Sequence, residues 1–132
     1  MSETHTGGCL CGAVRYEAQG PAINVRVCHC RLCQKAIGAA FNARALFAIP
    51  AVSISGPVAT AKSSEGLQRG FCQACGTTIF SRREAVGVMG LTHGSLDQPD
   101  DFPPTEHIWV SSKQAWLKLD DGLPQHAEGP PA

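Results

Sequence analysis

Apolar and polar residues alternate one by one along several stretches in the first half of the chain. Strict alternation is typical of a half-buried β-strand, because successive side chains of a strand point to opposite faces. The apolar members of these stretches are Val14, Tyr16 and Ala18; Ile23, Val25 and Val27; Phe41, Ala43, Ala45 and Phe47; and Val52 and Ile54. The pattern predicts a half-buried strand in each of them.

The second half of the chain has shorter apolar segments, near residues 70–71, 77–80, 86–91 and 108–110. They are separated by Gly, Pro, Asp and Ser, which favour turns. A helical turn is predicted from about Arg31 to Ile37, and a second short one at 98–102, where Pro99 suits an early helical position. We therefore predict a mainly β fold of several small antiparallel sheets with one or two short helical turns.

The composition points to a single domain without a nucleic-acid or membrane partner. The 132 residues contain 11 Lys plus Arg and 11 Asp plus Glu, so the formal net charge is zero, and there is no basic run. No export signal and no apolar stretch of membrane-spanning length is apparent. We expect a cytoplasmic domain over 1–132, with a core at about 7–126 and a flexible tail at 127–132; the oligomeric state stays open.

Seven cysteines form three tight groups: Cys9-x-Cys11, Cys28-x-Cys30-x-x-Cys33 and Cys72-x-x-Cys75. Within each group, this spacing is typical of thiolates that bind the same metal ion. Zinc is the expected metal. An odd number of cysteines and the lack of an export signal both argue against disulfides. Structural zinc takes four protein ligands, whereas catalytic zinc takes three and keeps one position open. Seven cysteines therefore fit one closed site and one open site.

The residues that follow the cysteines suggest how they are divided. Gly follows Cys11 and Cys75, whereas Gln follows Cys33. Glycine suits a tight turn around a metal because it adopts a positive φ without steric cost. We predict two zinc ions, a structural one held by Cys9, Cys11, Cys72 and Cys75, and a catalytic one held by Cys28, Cys30 and Cys33. Two other arrangements stay open: the middle three cysteines with one terminal cysteine, or a single cluster of all seven.

The predicted open site favours a thiol ligand. Three thiolates and Zn²⁺ leave a formal charge of −1, so a thiol suits the vacant position better than water. The bound thiolate could attack an aldehyde carbon, or the ion could polarise the carbonyl oxygen, and the sequence does not separate these roles. Arg31 and Lys35 lie four apart on the predicted helix, where they could bind a substrate carboxylate. Solvated surface charges are their ordinary alternative.

Other residues near the cysteines are weaker candidates. His29 lies between two predicted ligands and could carry a proton, but a residue in that position often points away from the metal. For the remaining candidates we expect core packing, hydrogen bonding or turn formation rather than chemistry. They are His93, His107, Asp97, Phe41, Phe47 and Trp109.

The cysteine groups and their neighbours resemble the glutathione-dependent formaldehyde-activating enzymes, a family often grouped with centromere protein V. The strongest matches are GCLCGAVRY at 8–16, CHCRLCQK at 28–35 and FCQACGT at 71–77. Further similarity lies in the last third of the chain, at 94–97, 107–110, Trp116 and 121–124. The resemblance covers about residues 7–126.

This resemblance implies a β-tent fold, in which small sheets surround the metal. It also implies the four-plus-three division of the cysteines between a structural and a catalytic zinc. The implied reaction is a carbon–sulfur lyase type, in which formaldehyde or another small aldehyde condenses with glutathione to give S-hydroxymethylglutathione.

Two other functions agree with the same residues. One is a non-enzymatic zinc module that binds a protein or senses metal, since a fold does not fix a function. The other is a thiol redox switch, in which oxidation of Cys28, Cys30 and Cys33 expels zinc.

Overall fold

The alternating segments of the sequence form the centre of a mainly β structure. The computed structural model describes residues 3–129. Its strands are β1 (Thr4–Gly8), β2 (Arg15–Gln19), β3 (Asn24–Cys28), β4 (Asn42–Ala48), β5 (Val52–Ser55), β6 (Val58–Ser64), β7 (Leu67–Cys72), β8 (Thr78–Arg83), β9 (Val88–Thr92) and β10 (Glu106–Ile108). The helix α1 covers Arg31–Ile37, and 3₁₀ turns lie at Ile49–Ala51, His93–Ser95, Pro99–Asp101 and Val110–Ser112. The predicted mainly β fold is confirmed.

The strands of the described residues form two sheets. One has three strands in the order β1-β2-β5, and the other has seven in the order β10-β3-β4-β9-β8-β7-β6. The described strand pairs are antiparallel except for β3 and β10, which run parallel. The larger sheet therefore carries its helix and its C-terminal strand near the same edge, beside β3.

The helix has the bounds that the sequence predicts. Its N-cap is Cys30, whose thiol accepts a hydrogen bond from the backbone N–H of Cys33 over 3.4 Å. Its C-cap is Gly38, whose φ of 71° and ψ of 36° are left-handed values that cost glycine little. The helix start thus places two of the middle cysteines on the same turn.

Two strands lack the alternating pattern and are not predicted from it. Strands β1 and β6 are rich in Thr, Gly, Ala and Ser, and they are extended because they pair with β2 and β7. Ile23 is a further difference, since it precedes β3 and is 58% exposed, although the alternation groups it with Val25 and Val27. Pairing with a neighbouring strand therefore makes a segment extended where its own pattern of apolar and polar residues does not predict a strand.

Buried side chains form two separate groups among the described residues. The main core contains Val14, Tyr16, Ala18, Ala45, Phe47, Ile79, Phe80, Met89 and Leu91, among others. A smaller group contains Cys28, Cys33 and Ile108, with Cys30 and Trp109 packed against it. The middle cysteines thus lie in their own apolar group beside the main core.

The C-terminal segment is bound to the rest of the chain as far as it is described. The carbonyl oxygens of Ala127 and Glu128 accept backbone hydrogen bonds from Ser111 and Trp109. The flexible tail predicted at 127–132 stays a prediction, and its residues 130–132 lie outside the described residues. No helix within residues 3–129 is long and apolar enough to cross a membrane.

A glycine in β7 tests how tightly the large sheet is packed. A Cβ at Gly70 would lie 2.2 Å from Cζ of Phe80, which is its cross-strand partner. We expect Gly70→Ala to destabilise the fold by about 1–3 kcal/mol, because the buried ring has to move. Gly94→Ala is the matched control, since its Cβ would meet nothing within 4 Å, and it should change stability by less than about 0.5 kcal/mol. Urea unfolding measures both, and equal stabilities of the two variants would contradict the packing.

Candidate functional site

Four cysteines from two distant hairpins come together at one point. Cys9 and Cys11 lie in the connection between β1 and β2, while Cys72 ends β7 and Cys75 lies in the turn before β8. Their Sγ atoms all lie within 4.8 Å of one another, with Cys9 to Cys11 at 3.6 Å and Cys11 to Cys72 at 3.9 Å. A tetrahedral zinc with bonds of about 2.3 Å would separate its sulfurs by roughly 3.8 Å. This cluster can hold a metal ion, and it joins the small sheet to the large one.

Backbone N–H groups and a threonine support the four sulfurs. The N–H groups of Val14 and Ala74 donate to the Sγ atoms of Cys9 and Cys72, over 3.2 Å and 3.3 Å. The Thr77 hydroxyl lies 3.1 Å from Sγ of Cys75 and is the main cause that lowers the pKa of that thiol to about 5. These contacts favour the thiolate form that binds metal.

The glycine argument made from the sequence agrees with the backbone. Gly12 and Gly76 have φ values of 83° and 81°, and each donates its N–H to the carbonyl oxygen of a cysteine of the cluster. Their left-handed conformation lets the chain turn tightly around the sulfurs.

The other three cysteines form a second cluster at the start of α1. Cys28 ends β3, Cys30 caps the helix, and Cys33 lies in its first turn. Their sulfur atoms lie within 4.8 Å of one another, and those of Cys28 and Cys30 are 3.4 Å apart. Among residues 3–129, no fourth Cys, His, Asp or Glu joins this cluster. It offers three ligands and one free direction.

Two residues that the sequence does not single out contact the second cluster. The guanidinium of Arg69, on β7, donates through Nη2 to Sγ of Cys33 over 3.6 Å, and Nδ2 of Asn42 lies 4.0 Å from the same sulfur. Both side chains are buried. Hydrogen bonds from Cys28 and Cys30, together with the Arg69 guanidinium, lower the pKa of the Cys33 thiol. The second cluster is thus prepared to carry negative charge.

A cavity of about 640 Å³ opens beside the three-cysteine cluster. All three cysteines line it, and so do apolar side chains that include Leu46, Leu67, Val88 and Trp109. Arginines from one helix and four strands also line it: Arg26, Arg31, Arg44, Arg69 and Arg83. Among the described lining residues none is acidic. We call this space the arginine cavity.

Few of these arginines have a counter-charge. Arg26 forms an ion pair with Glu106 over 2.5 Å, and Arg31 donates to the side-chain oxygen of Gln34. Within the part of the chain that the structure describes, the other three have no carboxylate within 4 Å. The arginine cavity is therefore strongly cationic.

Arg44 is a second arginine of the cavity whose surroundings are partly apolar. It stands directly opposite Arg26 in the β3–β4 pair, and burial lowers the pKa of its guanidinium. A Cβ at Gly90 would lie only 2.8 Å from Cδ of Arg44, so the absence of a side chain at this position of β9 leaves room for the arginine. Oδ1 of Asn24 accepts a hydrogen bond from it over 3.5 Å. Among residues 3–129 no carboxylate pairs with this guanidinium, and the anionic groups that act on it are the thiolates of Cys28 and Cys33.

The two cations expected to bind substrate differ in their access to the arginine cavity. Arg31 lines that cavity and also a shallow surface groove that it shares with Lys35, whereas Lys35, one turn further along α1, does not line the arginine cavity. Substrate binding by either residue stays a prediction, and the geometry favours Arg31.

The histidines are held by hydrogen bonds rather than by the cysteine clusters. His29 is fully buried, and its Nε2 lies 2.9 Å from Nδ1 of His107, whose Nε2 lies 2.7 Å from a carboxylate oxygen of Asp121. Burial, followed by the proximity of His107, lowers the pKa of His29. His93 hydrogen-bonds the carbonyl oxygen of Phe102. The hydrogen-bonding roles expected for His93 and His107 agree with these contacts.

Of the other weaker candidates, some make structural contacts and one lines the arginine cavity. The Asp97 carboxylate binds Arg15 and the Thr6 hydroxyl, which together lower its pKa. Phe47 lies in the core. Trp109 both packs on the second cluster and lines the arginine cavity, and its φ of 58° is unusual for a residue other than glycine.

A wider groove of about 890 Å³ runs past the four-cysteine cluster. It is open, and its charged residues, Arg15 and Asp97, neutralise each other. Phe41, which is 38% exposed, lines this groove. Because the neighbouring cluster offers all four ligands that a structural zinc takes, we place the candidate active site in the arginine cavity instead.

Comparison with known proteins agrees with this arrangement. Residues 4–112 match the family model described as glutathione-dependent formaldehyde-activating enzyme. An uncharacterized lyase of Schizosaccharomyces pombe is 33% identical over 76 residues, which cover 58% of this chain and 56% of that protein's own length. The crystal structure of a Rhodobacter sphaeroides protein superposes with a TM-score of 0.57 at 22% identity, over 70% of this chain and 87% of that one, and supports the fold alone. The chain belongs to the glutathione-dependent formaldehyde-activating enzyme family.

Proposed function

We propose that this protein is a zinc-dependent carbon–sulfur lyase that acts on the adduct of a small aldehyde with a thiol, glutathione and formaldehyde being the first candidates. The family match and the relative named as a lyase support the reaction class. The observation that carries the proposal is the position of the three-cysteine cluster, which faces the cationic cavity and offers no fourth ligand from the described residues.

The residues present fit zinc at both clusters. Both offer thiols only, which are soft ligands that zinc accepts readily. The sulfur separations of Cys9 and Cys11, Cys11 and Cys72, and Cys28 and Cys30 are 3.4–3.9 Å, close to those of a tetrahedral site. Zinc bound by Cys28, Cys30 and Cys33 would lower the pKa of a thiol at its fourth position and so supply a thiolate nucleophile.

The protein's own residues would provide binding and orientation. The Arg69 guanidinium, held by Ser63 and Cys33, balances negative charge at the cluster. Arg31 lies where it can hold a carboxylate of the thiol. Apolar side chains near Trp109 line the cavity beside the cluster, where they would contact the aldehyde carbon.

Loss of one ligand from the four-cysteine cluster should unfold the domain. Structural zinc supplies on the order of 10 kcal/mol in small zinc peptides, comparable with the whole stability of a domain. We therefore expect Cys75→Ser to abolish cooperative unfolding and to release both metals. Circular dichroism and metal analysis measure this, and a soluble variant with unchanged thermal stability and full zinc would remove the structural role.

Loss of one ligand from the three-cysteine cluster should spare the fold. The strand that carries Cys28 is held on both sides by β4 and β10, so the sheet does not depend on the metal there. Cys30→Ser should lose one zinc per chain with near-native circular dichroism and retain the other. If both ions leave, or if the fold is lost, the division into a closed and an open site is wrong.

A thiol should enter the open site as a fourth ligand. In the cobalt-substituted protein, an entering thiolate adds sulfur-to-metal charge-transfer absorption. Glutathione should change the spectrum more than mercaptoethanol at equal concentration, and Arg31→Ala should narrow that gap. Lys35→Ala is the matched control on the same helix, and an equal effect of both variants would place carboxylate binding on the helix surface. A spectrum that no thiol changes, but a protein partner does, would favour a binding module over an enzyme.

A further inference from the structure

We propose, resting on the function proposed above, that the arginine cavity selects a thiol whose charged groups are all anionic, with Arg44 and Arg83 as specificity-determining residues. Glutathione carries two carboxylates but also an α-ammonium. The cavity supplies several cations for the carboxylates, whereas the negative charge among its described lining residues lies on the cysteine cluster that would bind the thiol, and no carboxylate is there for the ammonium. A thiol with acidic groups and a blocked or missing amine is therefore its better ligand.

The cationic character is built into the strand register. Arg26 and Arg44 stand directly opposite each other across β3 and β4, where like charges destabilise a sheet. Glu106 pairs with Arg26 and does not line the cavity. Arg44 and Arg83 are left without a carboxylate among residues 3–129. An anionic ligand would supply the carboxylate that both guanidiniums lack.

The cavity also makes a cation costly. Its walls are partly apolar, through Leu46, Val86 and Val88 among others, so charges inside it are less screened than in water. An ammonium there would meet several guanidiniums and no described acidic side chain. An uncharged acetyl group in its place would instead contact the apolar walls.

The discriminating ligands are glutathione and N-acetylglutathione, which share both carboxylates and the thiol but differ in the ammonium. Titration of the cobalt-substituted protein at neutral pH should give a dissociation constant about tenfold lower for N-acetylglutathione. Mercaptosuccinate, a small thiol with two carboxylates and no amine, should also bind more tightly than mercaptoethanol.

Matched arginine variants identify the residues that bind the carboxylates of the thiol. Arg44→Gln and, separately, Arg83→Gln should weaken mercaptosuccinate binding about tenfold and leave mercaptoethanol binding unchanged, because only the former carries carboxylates. Arg82→Gln is the control, since Arg82 precedes Arg83 on β8, pairs with Glu84 and does not line the cavity. Circular dichroism and metal content verify that each variant is folded and loaded.

The outcomes separate this inference from the proposed function. If glutathione binds as tightly as N-acetylglutathione, or more tightly, the inference is overturned and the thiol-dependent enzyme stands. If Arg44→Gln and Arg83→Gln weaken the binding of mercaptoethanol as much as that of mercaptosuccinate, or change the binding of neither thiol, these arginines do not recognise the carboxylates. If no thiol changes the cobalt spectrum, the proposed function fails and the inference fails with it.

Discussion

Seven thiols held in two compact clusters impose the electrostatic constraint on which this structure depends. Thiolates less than 4 Å apart repel one another, so each cluster is stable only with a cation at its centre or beside it. The four-cysteine cluster meets this need with a metal position enclosed by sulfur and with N–H donors from its two turns. The three-cysteine cluster adds a guanidinium, Arg69, against one of its sulfurs.

The two clusters differ in what they connect. The closed one joins the β1–β2 connection of the small sheet to the β7–β8 hairpin of the large sheet, so it fixes the two sheets to each other. The open one lies within a single connection, from the end of β3 to the first turn of α1, where strand pairing already sets the backbone. A long-range crosslink constrains the unfolded chain more than a local one does. We therefore propose that stability depends on the closed cluster and ligand binding on the open one.

Much of this arrangement follows from the sequence because its signals are local. Alternation predicts β2 and most of β3 and β4, the helical turn predicted over Arg31–Ile37 has the bounds of α1, and a glycine after Cys11 and Cys75 distinguishes the closed cluster from the open one. The arginine cavity gives no such signal. Arg44 and Arg69 are 25 positions apart in the chain and reach the same space only through the strand order, which periodicity does not specify. The helix likewise suggests Arg31 and Lys35 as a pair, yet only one of them lines the cavity.

The zero net charge of the chain conceals this local field. Acidic residues are as numerous as basic ones, but several of them are used elsewhere: Asp97 on Arg15, Glu106 on Arg26 and Asp121 on His107. The strand order brings Arg44, Arg69 and Arg83 together beside the cysteine thiols, and none of the three has a carboxylate partner among residues 3–129. The composition therefore gives the net charge, which governs the electrostatic potential far from the molecule. The charge that a ligand meets depends on which ion pairs form. Those pairs depend in turn on the strand register of the folded protein.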